Sequence, residues 1–444
     1  MNIKNNLYLI VIILLTFACN KKQEENIEIS VNDYHNAVDK LTEVMVHDIF
    51  SPPVASRLYV YPNIAAYEII SKNSDKFKSL SGQLNGFNSF ESVKPNEAVN
   101  LELAALIAYL DVAKELVFSK EQITAYRDSL YKVWEAKNPE ILKNSTKYAL
   151  NASFQIIDWM NKDHYTETRT MPDYNIYTND PSRWEPTPPA YMKGIEPHWN
   201  KLRTMVLDSV AQFKPKKHPE FSLEKGTVFY DELMEVYNVN LDIRRKGDES
   251  VEVAIARFWD CNPFVSVNKG HFMFAEKKIT PGAHWIGICK IASQKNNYNF
   301  EKTVYAYTKT SIAIFDAFIS CWDEKYRSNL IRPETIINKY IDDSWVPILQ
   351  TPPFPEYTSG HSVVSGASSE VLTNIFGDNF YFEDTTEIPY GLPTRAFPSF
   401  RAAAQEAAIS RLYGGIHYDS AVKEGLKQGI LVGTLVNNKL ELLN

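Results

Sequence analysis

Apolar residues at helical spacing recur along most of this chain, and no convincing run of alternating apolar and polar residues accompanies them. The segment 96–118 shows the pattern well, with Leu103, Leu106 and Leu110 on one broad face. A capping box of Ser119 and Gln122 predicts the start of the next helix. The same reasoning predicts helices at 38–48, 53–72, 119–136, 146–161, 225–238, 250–258, 284–293 and 304–327. The sequence therefore predicts a mainly α-helical fold.

The amino-terminal residues have the pattern of an export signal. Lys4 precedes an apolar run, 7–17, that is too short to cross a bilayer as a helix. The run ends at Ala18-Cys19, which resembles the cleavage box of bacterial lipoproteins, in which the cysteine receives lipid. A plain signal peptide with an incidental cysteine is the alternative. We expect residues 1–18 to be a signal peptide and lipidated Cys19 to begin a polar tether over 19–33. The mature protein would then be anchored in the bacterial cell envelope.

Composition divides the rest of the chain and limits its partners. Residues 34–163 form an N-terminal helical region, 164–222 a connection rich in proline and aromatic residues, and 223–444 a C-terminal helical bundle. The connection could be a hinge, a wall of an entrance channel or simple packing. A net charge of −7 argues against a nucleic-acid partner. Cys261, Cys289 and Cys321 are too scattered for a disulfide framework or a zinc cluster, so we expect buried thiols. We predict no membrane contact beyond the lipid anchor.

Three short motifs in the last part of the chain carry the chemistry. The first runs from Lys325 to Arg332, the second is 358–361 (Thr-Ser-Gly-His), and the third is 410–417 (Ser-Arg-Leu-Tyr-Gly-Gly-Ile-His). Lys325 should lie in the last turn of its helix, and Arg332 precedes a proline, which favours extended backbone. Both cations can therefore converge on one point.

The second and third motifs add donors and imidazoles to these cations. Ser359 and Gly360 stand before a run of small residues that reads as a helix, so free N–H groups and the helix dipole would favour an anion there. Arg411 lies on a helix opened near Ser399, which two glycines end, leaving His417 on the next loop. Arginine forks suit tetrahedral oxyanions. A histidine can attack phosphorus or bind a metal centre, and a second can act as general acid or base.

Each motif alone has an ordinary structural explanation, such as a solvated cation, an N-cap or a structural histidine. Together, in this order and spacing, they resemble the superfamily of vanadium-dependent haloperoxidases and type 2 phosphatidic acid phosphatases. That pattern is Lys-x6-Arg-Pro, Pro-Ser-Gly-His and Ser-Arg-x5-His-x3-Asp. The stretches 51–57 and 258–263 look like those of bacterial haloperoxidase-type members.

The resemblance implies two packed helical bundles with an anion site in the C-terminal one. Carried over by motif, the residues that hold vanadate oxygens are Lys325, Arg332, Ser359, Gly360 and Arg411. His417 would bind vanadium, and His361 would be the acid–base partner. The cofactor would be one vanadate per chain, and the substrates hydrogen peroxide and a halide, by analogy iodide or bromide. Halide preference, a small organic acceptor and oligomeric state stay open.

The chain departs from the family pattern at two positions. Thr358 replaces a proline, and the family's last aspartate falls on Ala421. Asp419 is the nearest substitute and either orients His417 or caps the following helix. Trp322 lies about one turn before Lys325 and either faces the same pocket, with its indole N–H toward vanadate or halide, or belongs to the core.

The same motifs also allow two rival functions. In an acid phosphatase, His417 would attack phosphorus and His361 would protonate the leaving group. Chain length favours the haloperoxidase, since soluble phosphatases of the superfamily are usually shorter. The third reading, a catalytically silent anion-binding lipoprotein, leaves the two histidines unexplained.

Overall fold

The computed structural model describes residues 25–91, 98–269, 272–275 and 277–444, and in these ranges the protein is mainly α-helical, as predicted. The helices are α1 Val31–His47, α2 Pro52–Ser71, α3 Leu101–Leu116, α4 Lys120–Lys137, α5 Pro139–Met160, α6 Tyr165–Thr168, α7 Val228–Lys246, α8 Val251–Phe258, α9 Pro281–Lys295, α10 Phe300–Ser328, α11 Pro333–Tyr340, α12 Gly360–Phe376, α13 Phe400–Tyr413 and α14 Asp419–Lys439. Across the described ranges, none of these helices is both long and apolar enough to cross a membrane.

Four short strands, which the sequence analysis did not predict, form two antiparallel hairpins. β1 Ser266–Lys269 pairs with β2 Phe272–Ala275, and β3 Phe382–Asp384 pairs with β4 Arg395–Phe397. Strands of three or four residues are too short to show a period of two in the sequence. The two hairpins are therefore small additions to the helices, and the fold class remains mainly α-helical.

Helix α10 is the central element of the molecule. It spans 29 residues, and nearly all of them are buried. Asn299 caps its start by accepting a hydrogen bond from the Lys302 amide at 3.1 Å. Its other end stops at Asn329, whose left-handed backbone (φ 51°) acts as a C-cap. A helix buried on every side fixes its last turn, which carries Lys325.

Helices α12 and α14 pack so closely that their backbones touch. A Cβ added to Gly429 would lie 2.0 Å from the Val363 carbonyl oxygen, and one added to Gly366 would lie 2.6 Å from that of Leu426. Glycine is required where backbones approach to this distance. This contact fixes the N-terminal end of α12, at Ser359 and Gly360.

The predicted capping box at the start of α4 is wrong. The Ser119 hydroxyl makes no cap bond to its own helix and instead donates to the Asp48 carboxylate at 2.5 Å. A local pattern could not reveal this partner, because Asp48 belongs to the turn after α1. The helix itself is present, since its apolar spacing, not the cap, specifies it.

The N-terminal and C-terminal helices share one contiguous core. Buried side chains from both regions belong to a single apolar cluster, among them Leu58, Ile107, Phe315, Val363 and Val432. The three cysteines predicted to be buried thiols are free and buried. The division of the chain at 164 and 223 stays a prediction.

The connection 164–222 is irregular and packs against the end of α10. The Trp184 amide donates to the Asn329 carbonyl at 2.8 Å, and the Ile195 carbonyl accepts from the Trp322 indole at 3.1 Å. Trp184 and Trp199 are fully buried. The connection therefore supports the helix end that carries Lys325.

Candidate active site

Lys325 and Arg332 converge as their local sequence predicts. Lys325 lies in the last turn of α10, and Arg332 is the extended residue (φ −77°, ψ 149°) before Pro333 opens α11. Both side chains are fully buried. Two cations buried together destabilise the site unless an anion or hydrogen-bond acceptors offset their charge.

Backbone carbonyls satisfy part of this need. The Lys325 ammonium donates to the Pro355 and Glu356 carbonyls, each at 3.0 Å, and Arg332 Nε donates to the Phe354 carbonyl at 2.9 Å. Burial, with a further contribution from the charge of Arg332, lowers the pKa of Lys325 to about 7. Burial lowers the pKa of Arg332 to about 10. The Arg332 Nη2 atom is buried and makes no hydrogen bond within the described part of the chain.

His417 lies beside Arg332, and its proton position follows from its neighbours. Arg332 Nη1 is 3.1 Å from His417 Nε2, and His417 Nδ1 is 2.7 Å from Glu356 Oε1. A guanidinium has donors only, so Nε2 must accept, and the ring proton must be on Nδ1, facing the carboxylate. Burial lowers the pKa of His417 well below its usual range, and the charges of Arg332 and Lys325 lower it further. His417 is therefore neutral and presents the lone pair of Nε2.

Glu356 orients His417, and the sequence analysis missed it. Its Oε1 also accepts from the Tyr418 amide at 3.0 Å, while Oε2 has no partner among the described residues. Burial raises the pKa of Glu356 to about 8, although Arg332 and Lys325 oppose this shift. A single glutamate at this position matches no motif, and only the fold brings it to a histidine 61 residues away.

Ser359 and Gly360 begin α12 beside these cations. The Ser359 hydroxyl caps the helix by accepting from the Ser362 amide at 3.3 Å, and its own amide donates to the Ala421 carbonyl at 3.1 Å. A Cβ on Gly360 would lie 3.6 Å from the Trp322 ring and 3.9 Å from Lys325 Cε. The first amides of α12 therefore open next to Lys325, at the positive end of the helix dipole.

Arg411 and His361 meet at the backbone of Trp259. Arg411 Nη2 donates to the Trp259 carbonyl at 2.7 Å and to that of Ala256 at 3.2 Å. Burial lowers the pKa of Arg411. Burial, followed by the charge of Arg411, also lowers the pKa of His361 well below its usual range, although a hydrogen bond to the Trp259 backbone opposes this. His361 lines the cleft, and its buried Nε2 atom has no partner in the described ranges, so the neutral imidazole keeps one nitrogen free.

The cleft and the open space at its mouth together have a volume of about 470 Å³. Both polar site residues and apolar side chains line this space. Its lining includes the site residues Gly360, His361, Arg411 and His417 and the apolar residues Pro52, Pro281, Phe318, Trp322, Phe354 and Ile416. Trp322 thus faces the pocket with its ring, while its indole N–H is engaged by Ile195. Trp322 is both buried and part of the cleft lining, so the two interpretations of its position are not exclusive, and an indole contact with an anion stays a prediction.

Asp419 neither caps a helix nor supplies the partner seen on His417 Nδ1. It is the first residue of α14, whose N-cap is Tyr418, and its carboxylate pairs with Lys423 at 2.6 Å. The backbone at Tyr418 is already extended, so the helix begins one residue earlier than the sequence analysis assumed. The prediction for Asp419 is therefore wrong in both forms.

The assembled site suits a tetrahedral oxyanion. The charges of Lys325, Arg332 and Arg411 all act on His417 and lower its pKa, so the three cations lie around one place. The helix N-terminus at Gly360 lines the same cleft. Arginine N–H groups and helix-terminal amides are the donors that bind phosphate-like anions. His417 Nε2 adds a nucleophilic or metal-binding nitrogen, and His361 adds a base.

Known proteins share both the sequence and the fold of this chain. A family model described as the VCPO second helical-bundle domain matches residues 338–443. The crystal structure of a bacterial vanadium-dependent iodoperoxidase is 58% identical, with a TM-score of 0.92 over 95% of this chain and 99% of that chain. A bacterial vanadium-dependent chloroperoxidase in its holo form has the same fold at 16% identity, with a TM-score of 0.66 over 95% of this chain and 98% of that one. A comparison with curated proteins finds no match. Because its sequence is 58% identical to that of the iodoperoxidase over nearly the whole length of both proteins, this chain belongs to the vanadium-dependent haloperoxidase family.

Proposed function

We propose that this chain is a vanadium-dependent haloperoxidase that oxidises iodide or bromide with hydrogen peroxide. The observation that supports this most is the position of His417, whose Nδ1 lies 2.7 Å from Glu356 Oε1 and whose Nε2 lies 3.1 Å from the buried Arg332 Nη1. The 58% identical relative is an iodoperoxidase, which favours iodide as the first halide to test.

The residues present fit vanadate. Lys325, Arg332 and Arg411 would offset its charge, and the Gly360 amide and Ser359 hydroxyl would hydrogen-bond its oxygens. The unpartnered Arg332 Nη2 supports this, because a buried guanidinium nitrogen without an acceptor is costly. His417 Nε2 would be the protein ligand. When bound, vanadate supplies a Lewis-acidic centre that activates hydrogen peroxide toward a halide without changing its own oxidation state.

The chain itself would supply proton transfer and a dry cleft. Halide oxidation turns hydrogen peroxide, halide and one proton into hypohalous acid and water. His361 would take up this proton on Nε2 and pass it on, because its ring is neutral, the residue lines the cleft, and Nε2 makes no competing hydrogen bond within the described ranges. Phe318, Phe354 and Ile416 line the same cleft with apolar side chains, which would limit the water around His361.

The decisive experiment measures two activities on one preparation. We expect iodide oxidation by hydrogen peroxide to appear when vanadate is added to metal-free protein, and phosphate-ester hydrolysis to be minor. Trapped phosphohistidine, together with no gain of iodide oxidation on adding vanadate, would reject the haloperoxidase in favour of the acid phosphatase. Absence of both activities would favour the third possibility, a protein that binds an anion without catalysis.

Single substitutions separate the two histidines. His417→Ala should impair vanadate retention as well as turnover, since it removes the proposed bond to vanadium. His361→Ala should keep much of the vanadate affinity and lose about a hundred- to ten-thousand-fold in rate. Vanadium content after gel filtration and iodide oxidation rates distinguish the variants. Equal vanadate loss in both would contradict these assignments.

We also propose that the protein is exported and anchored through lipid on Cys19. Cys19 lies outside the described residues, so the proposal rests on the sequence pattern alone. Cys19→Ser should release the protein from the membranes of a producing bacterium, with Cys289→Ser as a matched control. Unchanged fractionation, with no lipid mass on the wild-type N-terminus, would refute it.

A further inference from the structure

A second buried cluster lies beside the active-site cleft and takes no part in the proposed chemistry. Cys261 Sγ is 3.4 Å from His284 Nδ1 and 3.7 Å from Glu387 Oε1, and His284 Nδ1 is 3.2 Å from Glu387 Oε1. All three side chains are buried. Three ligand atoms of different types therefore form a nearly equilateral triangle inside the protein.

The edges of this triangle match those of a tetrahedral metal site. Zinc bonds of about 2.3 Å to sulfur and about 2.0–2.1 Å to nitrogen or oxygen give ligand-to-ligand distances of roughly 3.3–3.6 Å at tetrahedral angles. The three observed distances, 3.4, 3.7 and 3.2 Å, lie within about 0.2 Å of this range. A thiolate, an imidazole and a carboxylate are also the ligand types that zinc takes in proteins.

The surroundings of His284 add an independent observation. Its other ring nitrogen, Nε2, is 2.8 Å from Asp384 Oδ2, and both side chains are fully buried. Metal-binding histidines commonly donate their second N–H to a carboxylate, which fixes the ring and its tautomer. The Asp384 contact would leave Nδ1 free to bind a metal.

From this geometry we propose that Cys261, His284 and Glu387 bind one zinc ion, with Asp384 as the hydrogen-bond partner of His284. Binding would displace the thiol proton of Cys261 and any proton on His284 Nδ1. Three protein ligands leave the fourth tetrahedral position to water. None of these three ligands is among the residues proposed to hold vanadate, although Cys261 also lines the cleft.

The zinc ion would connect elements that support the oxyanion pocket. Cys261 follows α8 and lines the cleft, His284 is in α9, and Glu387 follows β3. The His284 ring stacks on Trp259 with centroids 4.5 Å apart. The Trp259 carbonyl is the acceptor for Arg411, so the ion would stiffen a segment that positions an anion ligand.

The test uses full-length protein grown with zinc and purified without chelators. Metal analysis should find one zinc per chain in the wild type and in Cys289→Ser, a control that removes a buried thiol outside the cluster. Chelator-treated protein should take up Co²⁺ with a thiolate-to-cobalt absorption band, which Cys261→Ser should lack. Asp384→Asn keeps all three ligands and should weaken zinc binding by about 10- to 100-fold.

Two results would overturn the proposal. One is wild-type protein that holds neither zinc nor Co²⁺, which would leave the cluster as a protonated histidine between two carboxylates. The other is Cys261→Ser with an undiminished thiolate band, which would place the metal elsewhere. The wild-type measurement decides even if a variant fails to fold.

Discussion

The chemistry proposed for His417 depends on the carboxylate behind it. Glu356 accepts a hydrogen bond from the Nδ1–H group, so Nε2 keeps its lone pair toward the cations. Without this acceptor the proton can occupy Nε2, and the ring can no longer bind vanadium. Glu356, which is not a proposed ligand, would therefore control the proposed ligand His417.

Two substitutions at Glu356 separate its role in orienting His417 from the effect of its negative charge. Glu356→Ala removes the acceptor for both His417 and the Tyr418 amide, and we expect about a 10- to 100-fold loss of vanadate affinity. Glu356→Gln retains an acceptor oxygen and should lose much less. Vanadate titrations of metal-free protein measure the affinity of each variant, and iodide oxidation rates then measure its activity. Equal losses would mean that the charge, not the histidine tautomer, matters.

Lys325 should make vanadate binding depend on pH. Burial lowers the pKa of its ammonium to about 7, while that of Arg332 is about 10, so Lys325 is the first of the two to lose its charge as pH rises. A bound anion favours the protonated ammonium. Its contribution to affinity is therefore fully present below about pH 7 and is lost as pH rises through that value.

The comparison with Lys325→Met isolates this contribution, since the protonation of vanadate itself is the same for both proteins. We expect the ratio of vanadate affinities, wild type over Lys325→Met, to be largest at about pH 6. Above about pH 7 this ratio should fall by up to about tenfold per pH unit. Dissociation constants measured across this range provide the check. A ratio that stays constant with pH would show that Lys325 keeps its charge.

At the scale of elements, helix ends position the site, and the sequence reveals most of them. Pro333 with the extended residue before it, and the two glycines after Tyr413, are local signals, so the ends of α11 and α13 near Arg332 and Arg411 follow from a few neighbouring residues. The start of α12 near Gly360 was predicted from the run of small residues that follows it. Helix boundaries far from such signals were less well placed, as for α7, which continues to Lys246.

Contacts between distant elements could not be predicted in this way. Glu356 and His417, or Cys261 and Glu387, lie far apart in the chain, and no periodicity or cap relates them. The Asp419 prediction failed because proximity in sequence to His417 was taken for proximity in space. The family motifs supplied the residues expected to bind the oxyanion, but the residues that orient them became visible only when the helices were packed.

The close contact of α12 and α14 predicts that Gly429→Ala is destabilising. The added methyl would lie 2.0 Å from the Val363 carbonyl, so the helices must separate. Overpacking costs about 3 kcal/mol at its upper end, which exceeds the gain of about 1 kcal/mol in helix propensity. Denaturant unfolding should show that the free energy of unfolding falls by about 2 kcal/mol. Vanadate affinity should also fall, because Ser359 caps α12 and His361 lies in its first turn.

Lys427→Ala, at an exposed position of the same helix, is the control and should change stability by less than about 0.5 kcal/mol. If Gly429→Ala is as stable as this control, the two helices can separate at no cost, and their contact does not set the position of Ser359.

At the scale of the whole molecule, the shared core makes the site depend on both ends of the chain. Pro52, in α2, lines the cleft together with His361 and His417 from the C-terminal helices. Helix α10 packs against α2 on one side and α12 on another. The N-terminal layer therefore completes the pocket and is more than a support for it.

This architecture predicts that the protein unfolds as one unit that vanadate stabilises. The apolar cluster runs without interruption from Leu58 in α2 to Val432 in α14, so neither bundle can open without exposing the core of the other. A ligand bound only to the native state adds about 2.7 kcal/mol at a hundredfold excess over its dissociation constant. In a calorimetric scan we therefore expect a single transition, and vanadate should shift all of it to higher temperature. His417→Ala, which should retain vanadate poorly, serves as the control and should shift much less. Two transitions, with vanadate raising only one, would instead mean that the regions 34–163 and 223–444 fold independently and that their common core contributes little to cooperativity.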